Sequence, residues 1–214
     1  MNQSQTYPRD TLLSANAIVT LHDQLTRDWH NHPDAAVPCT SDWLTRVAGQ
    51  HRANFDLWHI EDEARVPGAT DAALADVKRR IDRTNQLRND LAEDLDRSLV
   101  ASLIPLGLPN QAAPLHSESP GLMIDRLSIL ALKIFHTCQE AERADAPHGH
   151  AERNHERLAI LEQQRADLAV CLDALWRETL SGTRSFKLYR QMKMYNDPSL
   201  NPAIYGKSRA GDGS

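Results

Sequence analysis

The placement of proline and glycine constrains this chain more than any other feature of its sequence. They meet at Pro67-Gly68, at Pro105 to Pro109 with Gly107, at Pro120-Gly121 and at Pro147 with Gly149, and Gly182 stands alone further on. Between these points lie long proline-free stretches. Uninterrupted helices need such stretches, because proline lacks an amide N–H and clashes with the preceding turn. No sustained period-two alternation occurs, and no Asn-Gly or Asp-Gly turn joins two alternating runs. The expected fold class is therefore all-α, a single bundle of about five major helices with a basic C-terminal segment.

Apolar periodicity and capping residues place the helices. The first is expected from about Ser14 to Trp29, with Ile18, Leu21, Leu25 and Trp29 on one face, and His30 to Thr40 reads as a loop. Ser41 caps a second helix to about Arg65, with Leu44, Val47, Phe55 and Trp58 facing inward. Thr70 caps a third to about Leu103, along Leu74, Val77, Ile81, Leu91, Leu95 and Leu99. After a proline-rich connector, Ser119 and Pro120 fit an N-cap and first helical position of a fourth helix to about Arg143. Its broad apolar arc, from Met123 and Ile124 to Ile134 and Phe135, predicts the most buried helix. A fifth helix runs from the turn Pro147 to His150 to about Leu180, with a seam of Leu158, Leu161, Leu168, Leu172 and Leu175. One domain is expected over 14–206, with a flexible N-terminus over 1–13 and a disordered Gly/Ser-rich tail over 207–214.

Composition removes several function classes. The 214 residues carry 24 Lys plus Arg against 29 Asp plus Glu, a net charge of −5. Such a chain has no general electrostatic reason to bind nucleic acid or anionic lipid. No apolar run approaches the roughly 18 residues of a membrane span. The N-terminus has no basic-then-apolar signal pattern, so the expected location is the cytoplasm. Cys39, Cys138 and Cys171 are too few and too dispersed for a disulfide framework or structural zinc site.

Polar residues stand where a bland bundle would not put them. On the third helix Asp82, Asn85, Asn89, Glu93 and Asp96 fall on the arc beside the apolar stripe. Asn and Asp are poor interior helix residues, disfavoured by roughly half a kcal/mol against alanine. On the second helix His51, Asn54, Trp58, Glu61, Asp62 and Arg65 share one arc, the mixed lining expected of a ligand pocket. On the fourth, Asp125, Lys133 and His136 share the side away from the apolar arc, with Arg126 beside them. In the C-terminal segment Lys187, Arg190 and Lys193 lie about one turn apart if helical, interleaved with Tyr189 and Tyr195. Such a strip suits phosphate. The plainer readings are a polar border touching water on the third helix and a core Trp58 with a salt-bridged rim on the second. On the fourth it is the one wet edge, and in the C-terminal segment it is cations that neutralise the acids of other helices and pin the tail down.

Four ordered blocks carry a resemblance. They are Asn54-Phe55-x-Leu57-Trp58-His59-x-Glu61-Asp62-x-Ala64-Arg65, Asp82-x-x-Asn85-Gln86-x-Arg88-Asn89-Asp90, Ile124-Asp125-Arg126-Leu127-Ser128-Ile129 with Lys133-Ile134-x-His136, and Tyr189-Arg190-Gln191-x-Lys193-Met194-Tyr195-Asn196-Asp197-Pro198. Together, over roughly residues 14 to 206, the chain resembles the bacterial domain-of-unknown-function family 4254. The resemblance implies no established activity and supplies no catalytic residue. It implies an association with lipopolysaccharide or other envelope-glycan glycosyltransferases.

The leading expectation is a polar cleft between the second, third and fourth helices, closed by the basic C-terminal strip and binding a phosphorylated sugar or nucleotide sugar. Asn54, Asp62, Asp82, Asn85, Asn89 and Glu93 would line it, Arg65, Arg126, Lys133, Lys187, Arg190 and Lys193 would meet phosphate, and Trp58 or Tyr195 would form a wall. His136 with Asp125, or His51 with Glu61, are the candidates for proton transfer. One rival is a magnesium-dependent nucleotide pyrophosphohydrolase, for which Glu93-x-x-Asp96 fits one acidic motif while Glu61, Asp62 and Glu63 depart from the other. Another is a non-catalytic adaptor for a glycosyltransferase. A di-iron bundle needs two Glu-x-x-His motifs, and only Glu152-x-x-His155 occurs. His148 and His150 read as an incidental exposed pair. No metal ligands are assigned, the cofactor is left open, and no glycine-rich phosphate loop is present.

Overall fold

A computed structural model describes residues 13–37, 41–190, 199–200 and 202. Five helices account for nearly all of its regular structure. They are α1 (Ala15–Asn31), α2 (Asp42–Glu63), α3 (Asp71–Leu103), α4 (Pro120–Glu142) and α5 (His150–Leu180). A short 3₁₀ turn, Ile104–Leu106, follows α3.

Four of the five starts use side-chain caps. Ser14, Ser41, Thr70 and Ser119 accept the backbone N–H groups of Ala17, Leu44, Ala73 and Leu122. Each satisfies an otherwise orphan donor, a contribution of typically about 1 kcal/mol. α5 starts instead at Gly149, with φ 75°. Its far end is closed by Gly182, whose φ of 73° is the left-handed conformation that only glycine adopts without strain.

α4 is the centre of the bundle and contacts all four other helices; its interface with α5 is the most extensive, followed by that of α2 with α3. It buries Met123, Ile124, Leu127, Leu130, Ala131 and Leu132, and with them the polar Asp125 and Ser128. Around it pack Ile18, Leu25 and Trp29 from α1, Leu95, Leu99 and Leu103 from α3, and Leu172 and Trp176 from α5. Leu13, ahead of the first helix, also belongs to this core.

α4 approaches α3 closely at its N-terminus because residue 121 is glycine. A Cβ there would lie 2.3 Å from the Ala92 carbonyl oxygen and 2.9 Å from Asp96 Oδ1. Asp96 fastens the approach: its Oδ1 accepts the Gly121 N–H at 2.6 Å, and its Oδ2 accepts the Ser119 hydroxyl. Burial pushes the Asp96 carboxyl up to about 6, while those two donors work the other way. This carboxylate is a structural clamp, and it leaves Glu93-x-x-Asp96 without its second magnesium ligand. Glu93 itself is ion-paired to Arg97.

Three expectations are corrected. Leu74 is not core but 39% exposed, in the solvent-facing first turns of α3. Trp58 is only half-buried, packing against the core from its edge. The segment after α5 is extended up to Arg190, not helical. It is held by a short parallel pairing in which His116 N–H donates to the Ser185 carbonyl and Ser185 N–H donates to that of Pro114. Phe186 anchors it in the core. Lys187 and Arg190 are exposed along this stretch and form no helical strip. Lys193, Tyr195, Cys39 and the expected tail lie outside the described residues. No described helix is long and apolar enough to cross a membrane.

Candidate functional site

The inward polar face of α2 meets Asp125 and Ser128, one turn apart on α4. Asp125 Oδ1 accepts Gln50 Nε2 at 2.5 Å, Asn54 Nδ2 at 2.9 Å and Arg88 Nε at 2.9 Å, and Oδ2 accepts Arg88 Nη2 at 2.7 Å. Asn54 Nδ2 also donates to Ser128 Oγ at 2.9 Å. Ser128 Oγ lies 2.7 Å from His51 Nδ1, and His51 Nε2 lies 2.9 Å from Thr26 Oγ1. The chain of contacts therefore runs Thr26–His51–Ser128–Asn54–Asp125–Arg88 and joins α1, α2, α4 and α3. His51 is stacked between His22, at 4.5 Å, and Trp29, at 5.4 Å. Burial holds His51 down at about 3 and lowers His22 well below the ordinary histidine range.

The proton-transfer pairings expected from sequence are not formed. His136 and Asp125 are eleven residues apart on one continuous helix, about 16 Å along its axis, and His51 and Glu61 are about 15 Å apart on α2. Sharing a helix face is not the same as touching. His51 has both nitrogens engaged and no exposure, and Asp125 has both oxygens occupied.

Outside this network α2, α3 and α4 enclose a cleft of about 340 Å³. Asn54, Trp58, Glu61, Asp62 and Arg65 line it from α2, Arg88 from α3, and Ile129 and Leu132 from α4, with Leu57 completing the apolar wall. Arg65 contacts Glu61 at 3.3 Å and Asp62 at 3.5 Å on its rim. Arg88, missed as a site residue, is 24% exposed and has two of its nitrogens fixed by Asp125.

The remaining candidates go elsewhere. Arg126 and Lys133 line a separate, larger hollow of about 690 Å³ between α4, α5 and the connector, where Arg126 pairs with Glu118 at 2.7 Å. They are about 80–100° around α4 from Asp125, enough to turn them out of the cleft. Asp82 pairs with Lys78 on the outer face of α3. Asn85 is half-buried outside the cleft lining. Asn89 is buried, with its Nδ2 unpartnered.

Behind Trp58 lies a second grouping. The indole stacks on His136 at 4.8 Å with 4° between the planes. His136 stands beside His30 and His59, with ring centres 5.0 and 6.0 Å away, and a nitrogen from each ring lies within 4.8 Å of the others. Phe55 and Phe135 pack against His30. His30 Nδ1 lies 2.6 Å from the Thr26 carbonyl, which can only accept, so Nδ1 carries the proton and Nε2 is the free nitrogen. His30 Nε2 and His136 Nε2 are buried without partners. Burial, then the charge of the neighbouring histidines, lowers His59 and His136. Asp62 opposes that shift at both rings. His30 is expected in a loop, but α1 continues to Asn31 and carries it, and the sequence pattern gives His59 no role. No spacing along the chain links residues from three separate helices.

No curated protein and no solved structure matches the chain. A family model described as "Protein of unknown function (DUF4254)" matches residues 44–188, which hold the cleft-lining residues, His59 and His136. The match spans α2 to the extended segment, and the chain belongs to that family.

Proposed function

We propose that the cleft between α2, α3 and α4 binds a sugar-containing ligand, a phosphorylated sugar or nucleotide sugar. The observation that carries this reading is Trp58, which lines the cleft while His136 backs it in parallel stacking. A backed indole is a rigid platform for a sugar or base face, at little conformational cost on binding. Around it stand Asn54, Glu61, Asp62, Arg65 and Arg88. These amides, acids and guanidinia suit a polyol, whose hydroxyls both donate and accept. With Lys133 in the other hollow, phosphate recognition falls to Arg65 and Arg88. Arg88 is the more rigidly placed of the two, but Asp125 occupies its Nε and Nη2. Its part is a fixed single contact, and Arg65 is the side chain with a fork to turn to phosphate. Two acids and two guanidinia line the cleft, a balance that favours a ligand with one phosphate-bearing end over a bare polyanion. A cytoplasmic role beside envelope-glycan synthesis fits such a ligand.

The pyrophosphohydrolase alternative loses support, because Asp96 clamps α4 and Glu61 pairs with Arg65. Native mass spectrometry of freshly purified protein, followed by calorimetry with hexose phosphates and nucleoside-diphosphate sugars, tests the proposal. Trp58→Ala is expected to weaken binding at least about tenfold, the loss of one aromatic anchor. Binding unchanged in Trp58→Ala and Arg65→Ala would remove the cleft from consideration.

A further inference from the structure

We infer that His30, His59 and His136 form a binding site for one divalent transition-metal ion of the zinc class. Three helices each deliver one imidazole to the same point: His30 from the last turn of α1, His59 from α2 and His136 from α4. Imidazole nitrogen is the ligand type that zinc, copper, nickel and iron share. Tetrahedral zinc with bonds of about 2.0–2.1 Å sets its ligand nitrogens about 3.3 Å apart, so these rings need close by no more than about 1.5 Å. Small side-chain rotations supply that movement.

Two features set this group apart from aromatic packing. His30 donates its other N–H to a backbone carbonyl, the outer contact that orients metal-bound histidines and leaves Nε2 as the ligand atom. His30 Nε2 and His136 Nε2 are desolvated and unpartnered, which a packing role would leave as an uncompensated loss. Asp62 and Asp56 add negative charge beside His59, against Arg52, which is itself paired to Asp56. With only three protein ligands, the ion keeps an open position for water or an anion. The inference goes beyond the cleft reading and does not depend on it.

The experiment uses the untagged full chain, stripped with chelator and titrated with Zn²⁺, and with Co²⁺ for its visible spectrum. The expected result is uptake of about one ion per chain and a Co²⁺ spectrum of nitrogen-rich, low-coordinate character. His59→Gln and His136→Gln should each weaken uptake at least about tenfold. Both carry the test if His30→Ala, which strips packing from Phe55 and Phe135, fails to fold. A His148→Ala/His150→Ala double variant, at the turn before α5, should bind as the wild type does. Arg65→Ala, which weakens a cleft ligand, should leave metal uptake unchanged, so the two readings fail separately. No stoichiometric uptake, or uptake kept in His59→Gln and lost in the double variant, would overturn the site.

Discussion

Thr26 stands between two histidine environments that differ in how completely they are paired. Its hydroxyl meets His51, whose other nitrogen meets Ser128, so that ring has no unused capacity. Its carbonyl meets His30, whose Nε2 is buried and unpartnered beside His59 and His136. The residue type is the same, but His51 is fully buried while His30, His59 and His136 are half-buried, and the consequences diverge. A fully paired ring ties three helices together, whereas a half-paired ring retains a lone pair for something else. His22 shows that an unpaired ring is not enough. Both its nitrogens lack partners, but it is stacked on His51 in the core and joins no group of ligating atoms among the described residues.

If the paired region is framework, breaking it should act on stability first and more strongly than any change at the half-paired region. Asp125→Ala strands the partly buried Arg88 guanidinium and the Gln50 amide together, and leaves the Asn54 amide only Ser128. Removing one partner of such a pair typically destabilises by about 3–5 kcal/mol, because the remaining charge is left uncompensated. Urea denaturation should show that loss. His59→Gln, on a half-buried ring with no hydrogen bond to strand, should stay within about 1 kcal/mol of wild type. Equal losses in the two variants would erase the distinction.

Acid sharpens the same contrast. His51, held at about 3 in the fold, binds its proton near 6.5 when unfolded. Between these values the unfolded chain carries more protons. Stability is therefore complete above about pH 6.5 and declines as pH falls toward 3, by up to about 1.4 kcal/mol per pH unit. His22, lowered by burial, His51 and Arg165, adds to the slope in the same direction. Asp96, raised to about 6, opposes it between about pH 6 and 3.8, where the folded state takes up the extra proton. His59 and His136, also lowered, act with His51 and His22, and these four histidines against one raised carboxyl leave a net acid loss. His51→Gln should flatten the decline measured by thermal melts from pH 7 to 4; an unchanged slope would mean that His51 is not the withheld group.

Helix ends and core were legible in the sequence because each depends on neighbours along the chain. Ser14, Ser41, Thr70 and Ser119 sit where their caps are needed, and the apolar faces repeat at helical spacing. The α2 wall of the cleft was legible for the same reason, since Asn54, Trp58, Glu61, Asp62 and Arg65 share one arc of one helix. What sequence could not supply was the rotation of each helix about its axis. That rotation sends Asp125 inward to Arg88 and turns Lys133 toward α5. It also brings His30, His59 and His136 together from three helices. Of the basic strip only Lys187 and Arg190 are described, and they lie outside any helix, because Phe186 and the pairing at Ser185 hold the start of that segment away from the helical path of α5.

Asn89 gives the smallest expected effect and the most discriminating sign. It lies next to Arg88 on α3, buried, with an amide nitrogen that donates to nothing. A desolvated donor without an acceptor destabilises by about 1–3 kcal/mol, and asparagine is also a weak helix former. Asn89→Leu removes both penalties and adds apolar surface, against some strain from the change of shape. If Asn89 serves no ligand, the variant should gain roughly 1 kcal/mol in urea denaturation and keep its affinity for nucleoside-diphosphate sugars. If its amide waits for a ligand that enters beside Arg88, affinity should drop at least about tenfold while stability still rises. That opposition between stability and binding is the mark of a polar group retained for function, and a merely structural asparagine does not produce it.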